Sequence, residues 1–312
     1  MIYFRNKDNQ CSGLKKILRY FKNIFCHIFY LCAMEEIKTV STWVYEGMKP
    51  ETAEYHTMVD THAHLYDEQF DGDRDAVVAR AVDCGVKRML LPNIDAQTVL
   101  PMLEVCSKYP GHCFPMLGLH PTSVNKDFER QLAIIESYLD KTEIVAIGEI
   151  GVDLYWDKQY FAQQLEAFSI QIRWAKKLRL PLSIHCRKSY NEIISVLKKE
   201  QDGSLTGVFH CFPGNLRQAG EVTALGFALG IGGVVTYKNA EMANVVQHTD
   251  MEHLLTETDA PYLPPVPFRG KRNESAYIYN VVQKIAELKS VPVSEVSAAT
   301  NVNAKRVFNK LY

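Results

Sequence analysis

His62 and His64 stand two residues apart in MVDTHAHLYDEQF, the stretch from Met58 to Phe70. Residues i and i+2 of a strand point to the same side, so an extended run here sets both imidazoles on one inner face. Glu149 in IVAIGEIGVD, His185 in LPLSIHCR, His210 in GVFHCF and Asp259 in LLTETDAPY share the same oddity. Each sits in, or at the carboxyl end of, an apolar run. A buried carboxylate is costly unless paired or coordinated. Four imidazoles and two carboxylates suit borderline divalent cations such as zinc, manganese or nickel. Six ligands are too many for one tetrahedral ion with an open position. They suit two ions sharing a bridging carboxylate, a centre built to activate water. Taken singly, each residue has a plainer reading: a satisfied core histidine, a buried ion-pair partner for Glu149, a turn cap for Asp259. His112, His248 and His253 are read as core histidines of that kind. The joint pattern favours metal.

Bringing six such residues together is the task of the elements between them. From residue 58 onward, short apolar runs alternate with amphipathic ones. The apolar runs are MVDTHAHL, KRMLLPNI, CFPMLGLH, IVAIGEIG, LPLSIHC, GVFHCF, FALGIGGVV and HLLTETDAP. Helical patterns fall between them, such as DRDAVVARAVDCG, FERQLAIIESYLD and FAQQLEAFSIQIRWAKKL, with apolar residues at three- and four-residue spacing. Gly85 is a suitable helix stop. Continuous apolar strands alternating with helices point to a closed (β/α)8 TIM barrel, an α/β fold of roughly 250 residues. An open doubly wound sheet usually needs fewer strands. A barrel gathers its active site at the carboxyl ends of its strands, where the six residues lie. The tail, PVSEVSAATNVNAKRVFNKL, reads as two short helices, the first capped by Ser294 and the second by Asn301 or Thr300.

The bulk numbers fit. The chain has 312 residues, 47% of them hydrophobic, and a formal net charge of -1. That is a globular composition with no overall pull toward nucleic acid, so any such contact needs a local patch. Eight cysteines without a C-x-x-C read as reduced, mostly buried thiols of a cytoplasmic protein. Residues 1–57 differ from the rest. Lys15, Lys16, Arg19 and Lys22 precede IFCHIFYLCA, an apolar run far short of the roughly 20 residues that span a bilayer. With Met34, Met48 and Met58 as alternative starts, this segment is expected to be a non-catalytic extension, followed by a single barrel domain over 58–312.

MVDTHAHL, GLHP, IGEIGVDLYW, IHCR, VFHCFPGN, GGVVTYKNA, LLTETDAPYLPPVPFRGKRNES and NAKRVF occur in that order. Together they closely resemble the TatD-type metal-dependent deoxyribonucleases, from about Met58 to the C-terminus. The resemblance implies a TIM-barrel hydrolase that binds divalent metals and acts on DNA. It puts the metal ligands on His62, His64, Glu149, His185, His210 and Asp259, with Glu149 bridging. Zinc, magnesium, manganese and nickel all stay open. Pro213 stands where members often have serine, and the N-terminal extension has no counterpart in the family.

Phosphodiester hydrolysis needs an activated water and an answer to phosphoryl charge, which bound ions supply. Asp259 is the candidate general base. His120 in GLHP is expected to contact or protonate the phosphate. Arg187, Arg269, Lys271 and Arg272 are expected to grip the substrate backbone, although short charge runs are usually solvated loops. Tyr155, Trp156 and Tyr262 could stack on an unpaired base, with core packing an equal account of Trp156. The expected partner is DNA, cut at an end or in a single strand, with no membrane and no obligate protein partner, and the expected state is a monomer. Two other classes stay open: an ester, lactone or amide hydrolase, including aminoacyl-ester removal from tRNA, and a non-catalytic binding protein that has kept the fold.

Overall fold

The computed structural model describes residues 57–238 and 241–311. The segment read as an N-terminal extension lies outside the described residues. Eight strands follow: β1 (Met58–Asp60), β2 (Val86–Pro92), β3 (Cys113–Leu117), β4 (Ala146–Asp153), β5 (Leu182–Arg187), β6 (Gly207–Phe209), β7 (Phe227–Ile231) and β8 (Leu254–Thr256). They pair in sequence order, and every pair is parallel. The seam between β8 and β1 is drawn together by the Ala63–Ala260 bridge and by the Thr61 N–H, which donates to the Thr256 carbonyl at 3.1 Å. The result is a (β/α)8 TIM barrel.

Parallel strands covered on both faces need apolar residues throughout, and every residue of β4 and of β7 is buried. The helices meet them with one apolar stripe each. In α4 (Phe161–Leu178) the stripe is Ala167, Phe168, Gln171, Ile172, Trp174 and Ala175, all buried. This helix spans the residues its sequence pattern marked. Before it come α1 (Arg74–Asp83), α2 (Val99–Lys108) and α3 (Phe128–Leu139), and Gly85, with φ 92°, ends α1 as its sequence suggests. After it come α5 (Tyr190–Glu200), α6 (Leu216–Ala224), α7 (Glu241–His248), α8 (Ile278–Lys289) and α9 (Val293–Val307).

At the amino-terminal end of the barrel, Val59, Leu90, Met116, Ala146, Val208, Ala228 and Leu255 form one layer, packed with Phe308 and Leu311. The chain's own C-terminal segment plugs this end and leaves the carboxyl end for the site. The expected pair of tail helices is one helix, α9, with Ser294, Thr300 and Asn301 inside it. No glycine or proline interrupts the run, and two polar residues of it, Thr300 and Asn303, are buried. Thr300 Oγ1 donates back to the Val296 carbonyl at 2.9 Å, and the Asn303 amide donates to the carbonyls of Met251 and Leu254 at 2.8 and 2.9 Å. The three histidines read as core residues are half-buried or exposed. Two of them bond to backbone carbonyls, His112 to that of Lys87 and His248 to that of Asn244.

Candidate active site

The strands stop short of most of the residues they present. His62 and His64 follow β1, and Asp259 follows β8 in a left-handed conformation, φ 59°, that aspartate tolerates better than most residues. Asp60 ties these two segments together. Its buried carboxylate accepts from the Thr258 N–H at 2.9 Å, the Thr258 hydroxyl at 2.6 Å and the His62 N–H at 3.3 Å. Burial pushes the Asp60 carboxyl up to about 7, against those hydrogen bonds. Glu149 projects from the middle of β4, His185 lies within β5, and His210 directly follows β6.

Glycine permits the close approaches. Gly151 has φ 144°, and a Cβ there would overlap the His185 carbonyl oxygen, so β4 and β5 could not meet at the ligands. A Cβ at Gly230 would overlap the Glu257 carboxylate behind His210.

Glu149 stands at the centre, and its two oxygens face different partners. Oε2 lies 3.1 Å from His62 Nε2 and 3.8 Å from His64 Nε2. Oε1 lies 2.8 Å from His185 Nδ1, 3.3 Å from His120 Nε2 and 3.9 Å from His210 Nε2. Asp259 Oδ1 is 3.5 Å from His64 Nε2 and 3.7 Å from His210 Nε2. Burial alone would raise the Glu149 pKa, but the facing imidazoles of His120, His62 and His210 hold it well below the usual carboxylate range. The other five proposed ligands therefore gather around Glu149, directly or, for Asp259, through His64 and His210. Three overlapping triads could each hold an ion: His62, His210 and Asp259; His62, His64 and Glu149; His120, Glu149 and His185.

Hydrogen bonding at the back of each ring decides what its front can do. The Tyr66 hydroxyl donates to the Pro92 carbonyl at 2.7 Å, so toward His64 Nδ1, 3.0 Å away, it accepts. His64 then carries its proton on Nδ1 and turns a bare Nε2 toward Glu149 and Asp259. A lone pair facing two carboxylates calls for a cation between them, and nitrogen and carboxylate oxygen are donors for a borderline divalent ion. The donor set fits a metal. His120 differs. Its Nδ1 accepts from the Thr122 N–H at 3.2 Å, which leaves the proton on Nε2, facing Glu149. Burial lowers the His120 pKa despite Glu149 nearby, which keeps the ring neutral.

Residues 59–309 match the family described as TatD related DNase. This chain belongs to that family. A relative of Bacillus subtilis, named an uncharacterized metal-dependent hydrolase, YabD, is 39% identical over 80% of this chain and 98% of its own. One of Erwinia tasmaniensis, named 3′-5′ ssDNA/RNA exonuclease TatD, is 32% identical over 81% of this chain and 100% of its own. The crystal structure of YjjV, a TatD homologue of Escherichia coli, superposes with a TM-score of 0.76 at 31% identity, covering 81% of this chain and 98% of that one. The chain is a metal-dependent hydrolase acting on ester bonds.

Five of the six proposed ligands of this TatD-related hydrolase, all but the fully buried His62, line the floor of a cavity of about 590 Å³, whose walls include Trp156, Arg187, Tyr262 and Leu263. Trp156 is 68% exposed and Tyr155 52%, so core packing does not account for Trp156. The Arg187 guanidinium lies 4.1 Å from the Tyr155 ring centre and 5.2 Å from that of Trp156. Across the mouth, Tyr262 donates to Asp67 Oδ2 at 3.2 Å, and its ring lies 6.0 Å from that of His64.

The basic loop divides. Arg269 lies over the Tyr237 ring at 4.3 Å and Lys271 is exposed, both apart from the cavity walls. Arg272 departs from its expected role as a substrate grip. Its guanidinium reaches both oxygens of Asp73 at 2.7 Å, Glu274 Oε1 at 3.1 Å and the Gln69 carbonyl at 2.6 Å. It is a structural cation joining the loop to the start of α1.

Three residues behind the ligands had not been singled out from the sequence: Tyr66, Asp153 and Glu257. Asp153 Oδ2 lies 2.9 Å from His185 Nε2. Glu257 Oε1 lies 3.0 Å from His210 Nδ1, in ion-pair contact without hydrogen-bond alignment, and accepts from the Cys211 N–H at 2.5 Å. Burial disfavours charge on His210, yet Glu257, Asp259 and Glu149 hold its pKa up at about 10. A signal was present: Tyr66 and Glu257 each stand two residues from a ligand, the spacing that first marked His62 and His64.

Proposed function

We propose that this hydrolase cleaves phosphodiester bonds of DNA from unpaired ends or single strands, with two divalent ions held across Glu149. His62, His64 and Asp259 face Glu149 Oε2 or flank it, and His185 and His210 face Oε1; this two-sided carboxylate supports a shared ligand. Bound there, divalent ions supply Lewis-acid activation of water and neutralise phosphoryl charge. Asp259, at the cavity wall, takes the proton of the attacking water. Its pKa, which burial would raise, is lowered by His210, His64 and His62, so it is ionised and ready to accept. Neutral His120 directs Nε2–H at the phosphoryl oxygen. Arg187 and Tyr262 hold the nucleotide beside the floor, while Arg269 and Lys271 meet the strand beyond it.

The observation that carries this reading is the rim. An exposed tryptophan and tyrosine with an arginine over both make a stacking surface for an unpaired base beside a phosphate, and a small ester needs no such surface. The relatives named 3′-5′ ssDNA/RNA exonuclease point the same way. All ligands come from one chain, which supports action as a monomer. Among the described residues no helix is long and apolar enough to cross a membrane, and the free cysteines support the cytoplasm as the place of action. The test is a metal-replete screen over single-stranded DNA, duplex DNA, RNA and small esters, with Glu149→Gln as control. Single-stranded DNA should be the best substrate, and the control should be inactive on all. Turnover of small esters with none on nucleic acid would overturn the proposal in favour of an ester or amide hydrolase.

A further inference from the structure

Asp153 ends β4 almost wholly buried, with its two carboxylate oxygens engaged in different directions. Oδ2 faces His185 Nε2 at 2.9 Å. Oδ1 accepts from the backbone N–H groups of Tyr155 at 2.8 Å and Trp156 at 3.2 Å. The backbone of Asp153 is itself fixed by Gln164 of α4, which accepts from its N–H at 2.8 Å and donates to its carbonyl at 3.2 Å. Asp153 also pairs in register with Arg187, whose guanidinium lies over the Tyr155 ring. One side chain thus touches a proposed metal ligand on one side and the aromatic rim on the other.

We propose that Asp153 is a positioning residue that couples ion binding at His185 to nucleotide binding at the Tyr155–Trp156 rim; the rim half rests on the nucleic-acid reading above. A carboxylate is required because both directions need an acceptor. With Nε2–H donating to Oδ2, His185 turns a bare Nδ1 toward Glu149 and His120, which is the form that binds an ion. An ion on Nδ1 fixes the ring, the ring fixes Oδ2, and the same rigid group sets Oδ1 under the two rim amides. Such a linkage is reciprocal: a nucleotide that orders the rim tightens the ion by the factor by which the ion tightens the nucleotide. Asparagine offers one acceptor and one donor at this position. It must either present N–H to the His185 N–H, forcing the other tautomer, or leave the rim amides unpaired.

The experiment measures Mn²⁺ affinity calorimetrically, with and without a phosphorothioate-linked single-stranded oligothymidylate that resists cleavage. In the wild type the oligonucleotide should tighten the weaker ion about tenfold. Asp153→Asn should weaken that ion about 10- to 100-fold without oligonucleotide, and the coupling factor should fall toward one. Trp156→Ala, which removes an exposed ring and leaves the fold alone, should keep the Mn²⁺ affinity of the wild type and lose the coupling. A loss of packing alone would lower the thermal midpoint without abolishing the coupling. Folded Asp153→Asn with wild-type Mn²⁺ affinity would overturn the hold on His185. Coupling that survives in Trp156→Ala would overturn the link to the rim. An oligonucleotide that fails to bind the wild type would sink the nucleic-acid reading and the link with it, whereas the affinities without oligonucleotide decide the His185 half by themselves.

Discussion

Tyr66 sets the protonation of His64. Its hydroxyl stands 3.0 Å from His64 Nδ1 and donates to the Pro92 carbonyl, so the ring can only donate to it, and His64 Nε2 is left free for a cation. Tyr66→Phe keeps the ring and removes the acceptor. Divalent-metal affinity should fall about 10- to 100-fold with little change in the far-ultraviolet spectrum. A competition titration against a chelator reads this directly, and an unchanged affinity would mean that backbone geometry alone orients His64.

The two histidines that open the site should be separable from the fold. His62→Ala with His64→Ala removes the ligands facing Glu149 Oε2 and leaves those facing Oε1. One ion should be lost while the protein remains folded, because the barrel core lies in other layers. Elemental analysis showing full metal occupancy in the double variant would refute the assignment.

Arg272 and the neighbouring loop cations should behave differently. Arg272→Ala should lower stability by about 1 kcal/mol, the upper range for a partly exposed pair, because it breaks the two-pronged contact with Asp73. The hydrogen bond to Arg272 depresses the Asp73 pKa. A depressed carboxylate contributes stability above its unfolded value of about 4 and loses it as pH falls through the folded value. The difference in thermal midpoint between wild type and Arg272→Ala should therefore be full at pH 7 and shrink toward pH 2. A difference that grows in acid would contradict the ion-pair account.

Neutralising Arg187 should raise KM for oligonucleotides far more than for a minimal phosphodiester that reaches only the floor. A phosphate contact also releases a counterion, so the salt dependence of binding should lose about one unit of slope. Neutralising Arg269 and Lys271 together should have a weaker effect of the same kind. Equal effects on both substrates would make these residues structural.

A chain beginning at Met58 should retain metal binding and hydrolysis, since every described strand and every proposed ligand lies at or after that position. Loss of activity in a truncated protein that folds normally would mean that the preceding segment reaches the site.

The sequence by itself determined the barrel and marked six candidate ligands. Period-two spacing, apolar strands covered on both faces and the cost of burying charge are local rules, and they mark His62, His64, Glu149, His185, His210 and Asp259 without knowledge of what faces them. Only the tertiary structure decided how each is held. Arg272 and Asp73 lie 199 residues apart in the chain, so one cation of a loop that reads as free positive charge turns out to be internally neutralised. Trp156 reads equally as core or surface until the strand end turns it outward. Asp153 and Glu257 look like ordinary strand-end acids, and their roles follow from the ring nitrogens that neighbouring strands carry to them. The single helix α9 replaced two because Thr300 bonds back within the helix and Asn303, polar in sequence, satisfies its amide against the barrel. In each case local chemistry fixed what a residue could do, and the partner supplied from a distant strand fixed which of those things it does.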